Sequence, residues 1–183
     1  MTAYLVLLRG INVGGRNKVP MAELRTVLED LGFSNVSTYI ASGNVLLDSD
    51  LSAAKVASTI EDALPKAFKL HSELVRIAVL SQAELDAVVK RRPKGFGEEP
   101  AKYNSDAIFL MGIEADAAMA VFSPRDGVDT VWPGDGVIYS QRLSAQRTKS
   151  RLNRIMGTPA YGSMTIRSWQ TTLALLELMR KRD

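Results

Sequence analysis

The sequence predicts an α+β fold built as two successive halves, the first of them ferredoxin-like. Three observations carry this. The apolar patterning of residues 1–80 gives elements in the order β-α-β-β-α-β. A Ser-x-x-Glu capping box formed by Ser81 and Glu84 then opens a new helix and sets the boundary between residues 1–80 and 81–183. Finally, residues 5–8 and 45–47 are apolar at consecutive positions instead of alternating, so these strands are expected to be covered on both faces. Helices would cover one face; the second half of the chain, or a partner subunit, would cover the other.

Residues 3–8 read as a buried strand. Pro20 introduces a helix, where a missing N–H costs nothing. Met21, Leu24, Leu28 and Leu31 recur at helical spacing until Gly32 stops them. Residues 36–40 are β-branched and aromatic, residues 41–44 (Ala-Ser-Gly-Asn) form a turn, and residues 45–47 return as a strand. Ser52 caps the next helix, whose inner face is Val56, Ile60 and Leu64, with Pro65 near its end. Residues 74–80 complete the first half as a strand. Leu80 and Leu85 are placed to staple the helix that follows. A Pro-, Gly- and charge-rich stretch from about 92 to 105 reads as loop. Residues 106–113 read as strand and 115–122 as a short helix. Pro-Gly-Asp-Gly at 133–136 joins two strands in a hairpin. Residues 144–156 are expected to be helical, ended by Gly157, and a last helix is expected from about 167 to 181. The halves share no convincing residue-level repeat, only an order of elements.

Composition narrows the function classes. The chain has 183 residues, 46% of them hydrophobic, which suits a packed core. It has no cysteine, so disulfides, thiolate catalysis and cysteine-bound zinc are excluded. The longest apolar run is far short of the roughly 18 residues needed to cross a bilayer. No secretory leader is expected, and a cytoplasmic location is the default. The net charge of +3 is unevenly spread. From residue 142 to the end there are nine Lys/Arg against two acids, or +7, and the remainder carries −4. A basic C-terminal third attracts phosphate or nucleic acid, or simply forms a solvated face.

The segment LLRGINVGGRNKVPMAELRTVLEDLGFSNVSTYIASGNVLL closely resembles the signature of a bacterial family named domain of unknown function (DUF) 1697. Thr165-Ile166-Arg167-Ser168-Trp169-Gln170-Thr171 is similar to that family's Thr-x-Arg-Asn-Trp-x-Thr motif, with Ser168 in place of the asparagine. A basic, serine-containing stretch at 147–152 also matches. The resemblance spans nearly the whole chain, weakest from about 85 to 130. It implies an α+β fold of two ferredoxin-like halves packed together, and no activity.

One loop stands out chemically. RGINVGGRNKVP, residues 9–20, has the spacing of a phosphate-binding G-x-x-x-x-G-K-[ST] loop, but Arg16 replaces the lysine and Asn17 the magnesium-binding hydroxyl. The helix also opens too late to aim its N–H groups at a phosphate. A magnesium-nucleotide hydrolase is therefore rejected. Two readings remain: a purely structural loop, or an anion site. In the second, amides around Asn12, Gly14 and Gly15 form a nest and Arg9, Arg16 and Lys18 supply charge. Arg147, Lys149 and Arg167 could add a second contact, and Trp169 could stack a base; alternatively Arg167 and Trp169 anchor a helix start in the core. Ser42 and Asn44 are expected at the opposite end of the sheet from Arg16, as hairpin formers or as contacts to the other half or a partner.

Other constellations are thin. The sole histidine, His71, lies in a connection, and no metal or cofactor is expected. Glu98 and Glu99 are adjacent in a charged loop. The strands of the first half lack the aromatics of an RNA-recognition surface. The sequence supports a protein that binds an anionic ligand: a nucleotide, a phosphorylated metabolite or a nucleic-acid backbone. It leaves open a metal-independent enzyme on a phosphorylated or carboxylated small molecule, and a ligand-free interaction or homodimerisation module.

Overall fold

The computed structural model describes residues 1–71 and 75–182. By its internal contacts the chain divides into two units: Met1–Leu85 with Leu175–Asp183, and Asp86–Ala174.

The first unit contains β1 (Thr2–Leu8), α1 (Met21–Asp30), β2 (Ser34–Tyr39), β3 (Asn44–Ser49), α2 (Ala53–Ala67) and β4 (Ile77–Ser81). Leu74, which the expected last strand includes, lies outside the described residues. The sheet order is β2-β3-β1-β4, with every neighbouring pair antiparallel. Because α1 crosses over, β1 and β2 run the same way although β3 lies between them. The β2–β3 turn therefore falls where β1 leaves the sheet: Leu7 pairs with Asn44. The sequence-based expectation that Ser42 and Asn44 lie at the far end from Arg16 is thus wrong. The error was to overlook this parallel sense, which any helical crossover imposes.

Both faces of this sheet hold buried apolar residues. Tyr4, Val6, Leu8, Val45 and Leu47 pack with Leu24 and Leu28 of α1 and Val56, Ile60 and Leu64 of α2. Leu5, Leu7 and Leu46 alternate to the other face, yet are no more than 3% exposed. Burying each contributes about 1.5–3 kcal/mol. That face is shared by Ser37 and Asp48, given their register with Leu46 and Ala3. The Arg182 guanidinium donates to Ser37 Oγ (3.2 Å), the Asn35 carbonyl (2.6 Å) and the Asp48 carboxylate (3.0 Å). The C-terminal segment 175–183, in which Leu175, Leu176 and Met179 are buried, thus returns to this unit and meets the second face through Arg182. The consecutive apolar residues of β1 and β3 reflect burial on both faces.

α3 (Gln82–Lys90) leads into the second unit. Its capping box is fully formed: Ser81 N–H donates to Glu84 Oε2 at 2.7 Å, and Glu84 N–H to Ser81 Oγ at 3.3 Å. Then come β5 (Tyr103–Leu110), α4 (Ala115–Met119), β6 (Asp129–Pro133), β7 (Val137–Leu143), β8 (Met164–Ser168) and α5 (Trp169–Arg180). The sheet order, β6-β7-β5-β8, repeats that of the first unit. Two four-stranded antiparallel sheets thus give two ferredoxin-like halves.

Two expectations need correction here. Residues 144–156 do not form an α-helix. Three short 3-10 segments, Ser144–Lys149, Leu152–Gly157 and Pro159–Ser163, take its place. Only Leu152 and Ile155 are buried in them, too few for the continuous apolar stripe that docks a helix. Residues 164–168 are a strand, not the approach to a helix. They complete the sheet by pairing with β5, and α5 starts at Trp169. Among the described residues no helix is long and apolar enough to cross a membrane.

A basic loop cluster as candidate functional site

The loop between β1 and α1 is a miniature hairpin. Arg16 N–H donates to the Val13 carbonyl at 2.9 Å, and Asn12 N–H to the Asn17 carbonyl at 3.0 Å. Between them Gly14 (φ 57°) and Gly15 (φ 75°) both take positive φ, as a type I′ turn requires. Two of the amides expected in an anion nest are thus consumed within the loop. The glycines serve a turn that sets the position of Arg16.

The asparagines are braces. Asn12 Nδ2 donates to the carbonyls of Val19 (3.0 Å) and Ala41 (2.8 Å), while its Oδ1 accepts from Val19 N–H (2.8 Å). Asn17 is 8% exposed; its Nδ2 donates to the Gly10 carbonyl (2.9 Å), and its Oδ1 accepts from His71 N–H (2.6 Å). Leu8 N–H donates to the Gly43 carbonyl and Arg9 N–H to the Arg76 carbonyl, both at 2.9 Å. Main chain and asparagine amides therefore knit three connections together: β1–α1, β2–β3 and α2–β4. In the β2–β3 turn, Asn44 Nδ2 donates to the Tyr39 carbonyl and to Ser42 Oγ, which gives both side chains a turn-forming role. Gly43 has φ 84°, and a Cβ there would lie 2.9 Å from Ile11 Cδ1.

This end of the first sheet is strongly basic. Arg9 and Arg76 are half-buried, and Arg16, Lys18, Lys69 and His71 are exposed. No acid occurs among the described residues of the three connections (9–20, 40–43, 68–71 and 75–76). The sole acid in the sequence of these connections, Glu73, lies outside the described residues. Glu61, on α2, accepts from Ile77 N–H at 3.0 Å. Arg16 and Lys18 enter no salt bridge among the described residues. Sequence reasoning missed Lys69, His71 and Arg76 as companions of Arg16. The signal was available in the topology: β4 is antiparallel to β1, so its approach must arrive where β1 ends.

The candidates in the second unit fare differently. Arg147 and Lys149 are exposed on the first 3-10 segment. Arg167 sits in β8, not on a helix, and is 7% exposed. Its Nη1 donates to Thr165 Oγ1 and to the Ile166 carbonyl, both at 2.9 Å, and burial brings its pKa down to about 10. Trp169 is 6% exposed, with its ring 4.9 Å from Phe96 and 6.2 Å from Tyr139. A Cβ on Gly97 would approach the indole to 2.6 Å. Protein groups occupy the faces a base would need, so the expected stacking role for Trp169 gives way to a core role. Ser168 Oγ accepts from Thr171 N–H at 3.2 Å and caps α5, a task that the asparagine of the related motif would also perform. Glu98 and Glu99 are exposed, and among the described residues no three potential metal ligands gather.

Comparison with known proteins agrees with this architecture. A solved structure of a conserved bacterial protein from Streptococcus pneumoniae is similar at 28% sequence identity, with a TM-score of 0.81, over 97% of this chain and 98% of that one. No curated protein matches the chain. The family described as "Protein of unknown function (DUF1697)" matches residues 1–139. With three quarters of its length so matched and its paired sheets in place, the chain belongs to the DUF1697 family.

Proposed function

We propose that this is a cytoplasmic protein that binds a phosphate-bearing ligand on the basic loop end of its first unit. One observation carries the reading. Five Lys/Arg and a histidine from three connections are tied to one end of one sheet, with no acid among the described residues of those connections and Glu61 of α2 the carboxylate that reaches Ile77 N–H beside Arg76. Gathering like charges is unfavourable in itself, and a bound anion reverses the sign of that interaction. Arg16 and Lys18 are the principal contacts, with Arg9, Lys69, His71 and Arg76 around them. Each charge-assisted hydrogen bond to phosphate is worth about 1.5–3 kcal/mol. Asn12, Gly14 and Gly15 hold the hairpin that carries Arg16. Arg167 and Trp169, packed inside the second unit, leave the ligand set. A cysteine-free chain fits a reducing compartment.

A nucleic-acid backbone as the source of phosphate draws support from a second observation. No acid occurs from residue 136 to residue 176, a stretch whose exposed cations include Arg147, Lys149 and Arg154. An enzyme acting on a phosphorylated small molecule would use the same unit 1 cations to stabilise transition-state charge.

The test is a thermal-shift screen with inorganic phosphate, nucleotides, sugar phosphates and oligonucleotides. It is run on the wild type and on Arg16→Ala with Lys18→Ala. A phosphate ligand raises the wild-type midpoint and loses most of that effect in the variant. If both proteins respond alike to every compound, the loop end is not the site. Salt separates the sources: affinity for an oligonucleotide falls with a log–log slope of about −0.7 to −0.9 per phosphate neutralised.

A further inference from the structure

The second unit holds a pocket that the basic loop reading does not use. It encloses about 70 Å³ between the sheet and the 3-10 segments. One water requires roughly 10–15 Å³ on the same measure, so the pocket has room for an amino-acid head group and a short side chain. Its apolar wall includes Ile108, Leu152, Ile155 and Ile166, and its polar floor Asp106, Ser140 and Arg142.

The floor is unusual in what it leaves unpaired. Asp106 lies opposite Ser140 in the β5–β7 register, so Arg142, two residues on, is its diagonal neighbour on the same face. Such diagonal positions are about 7–8 Å apart at the backbone. No salt bridge joins the two side chains among the described residues. Arg142 Nε is buried and makes no hydrogen bond among the described residues. The Asp106 side chain beside it is half-buried. Burial pushes its pKa up, and Arg142 opposes that shift only in part. Asp129, which pairs with Arg142 across β6 and β7, accepts through Oδ2 from the N–H groups of Arg125 (2.9 Å) and Arg151 (2.8 Å); its Oδ1 is buried without a hydrogen bond among the described residues, and the Arg142 charge is among the influences that lower its pKa. Arg142 Nε is left without a protein partner among the described residues at a cost in free energy, and the burial of the Asp106 carboxylate beside it is only partly offset by the Arg142 charge. A ligand carrying both complementary charges on one carbon would satisfy both at once, and the apolar wall accepts a hydrocarbon side chain.

We propose that this pocket binds a free α-amino acid with a short apolar side chain, its carboxylate on Arg142 and its ammonium on Asp106. Valine is the probe. Two relatives each lack one head group: isovalerate has no ammonium and isobutylamine no carboxylate.

In methyl NMR of the intact protein, valine is expected to shift the Ile108, Ile155 and Ile166 signals. Each relative should bind about tenfold more weakly or worse, as expected for a lost charged hydrogen bond. Arg142→Gln should bring valine down to the affinity of isobutylamine, and Asp106→Asn to that of isovalerate. Arg16→Ala should leave valine binding unchanged, which keeps this site distinct from the loop end. The proposal is overturned if valine at tens of millimolar moves none of these methyls. It is equally overturned if either relative binds as well as valine. Should Arg142→Gln fail to fold, the comparison of the three compounds on the wild type decides alone.

Discussion

The two units share a strand order and differ in what they place on it. Between β1 and α1 the first unit inserts twelve residues, closed into a hairpin and carrying three cations; between β5 and α4 the second has four, ending in Glu114. Where the first unit has the 15-residue helix α2, the second has three 3-10 segments. Each unit departs from the bare topology in one place. One departure gathers charge at a sheet end; the other leaves a pocket over the sheet. Sites arise where a repeated framework stops repeating, because the framework itself is already committed to its core.

That comparison can be broken or sharpened by substitution. The largest effect is expected from Gly43→Ala. It puts a side chain in positive-φ backbone and against Ile11, for a loss of about 3 kcal/mol by urea denaturation. If stability holds, the clamp between the β2–β3 turn and the loop is not as described. Next comes Asn17→Ala, which leaves the Gly10 carbonyl and His71 N–H unpartnered. A loss of about 2 kcal/mol and faster amide exchange at His71 are expected.

Smaller, and opposite in sign between the units, are two carboxylates. Burial alone would raise Asp48, but hydrogen bonds from Asn35 and Arg182 outweigh it and hold the pKa below 3.8. Its contribution is present above the unfolded value and disappears as pH falls through the folded one. Asp48→Asn should therefore cost about 1 kcal/mol at neutral pH and little in strong acid. Asp106 is raised, so the folded state binds the extra proton and stability falls as pH climbs from 3.8 through the folded value. Asp106→Asn should raise the melting temperature at neutral pH, and that gain should vanish in acid. A melting temperature lowered by Asp106→Asn would mean that the carboxylate is structurally satisfied. Smallest in stability is Arg16→Ala, within about 0.5 kcal/mol, because the side chain is exposed and pairs with no described residue. Its effect should appear only in the phosphate response.

The first unit was legible because its signals are local. Leu24 and Leu28, or Val56, Ile60 and Leu64, declare a helix by spacing alone, and Ser81 with Glu84 announces a start within four residues. β8 was hidden because Thr165, Ile166 and Arg167 show no long alternation and run straight into α5; only pairing with β5 makes them a strand. Of the candidate site, the charges on residues 9–18 could be read directly. The approach of Lys69, His71 and Arg76 depends on the sense of β4, and the meeting of Asp106 with Arg142 depends on register across two strands. Neither is written in any contiguous stretch.

The return of Leu175–Asp183 to the first unit has a bearing on biosynthesis. Leu5, Leu7 and Leu46 emerge from the ribosome well before the segment 175–183 that returns to their unit. At about 5–20 residues per second, about ninety intervening residues delay that return by roughly 5–20 s. During the wait the first unit stands incomplete among other nascent chains. A transcript cut short before residue 175 would leave it so permanently, making truncated product a natural client for chaperones and proteases.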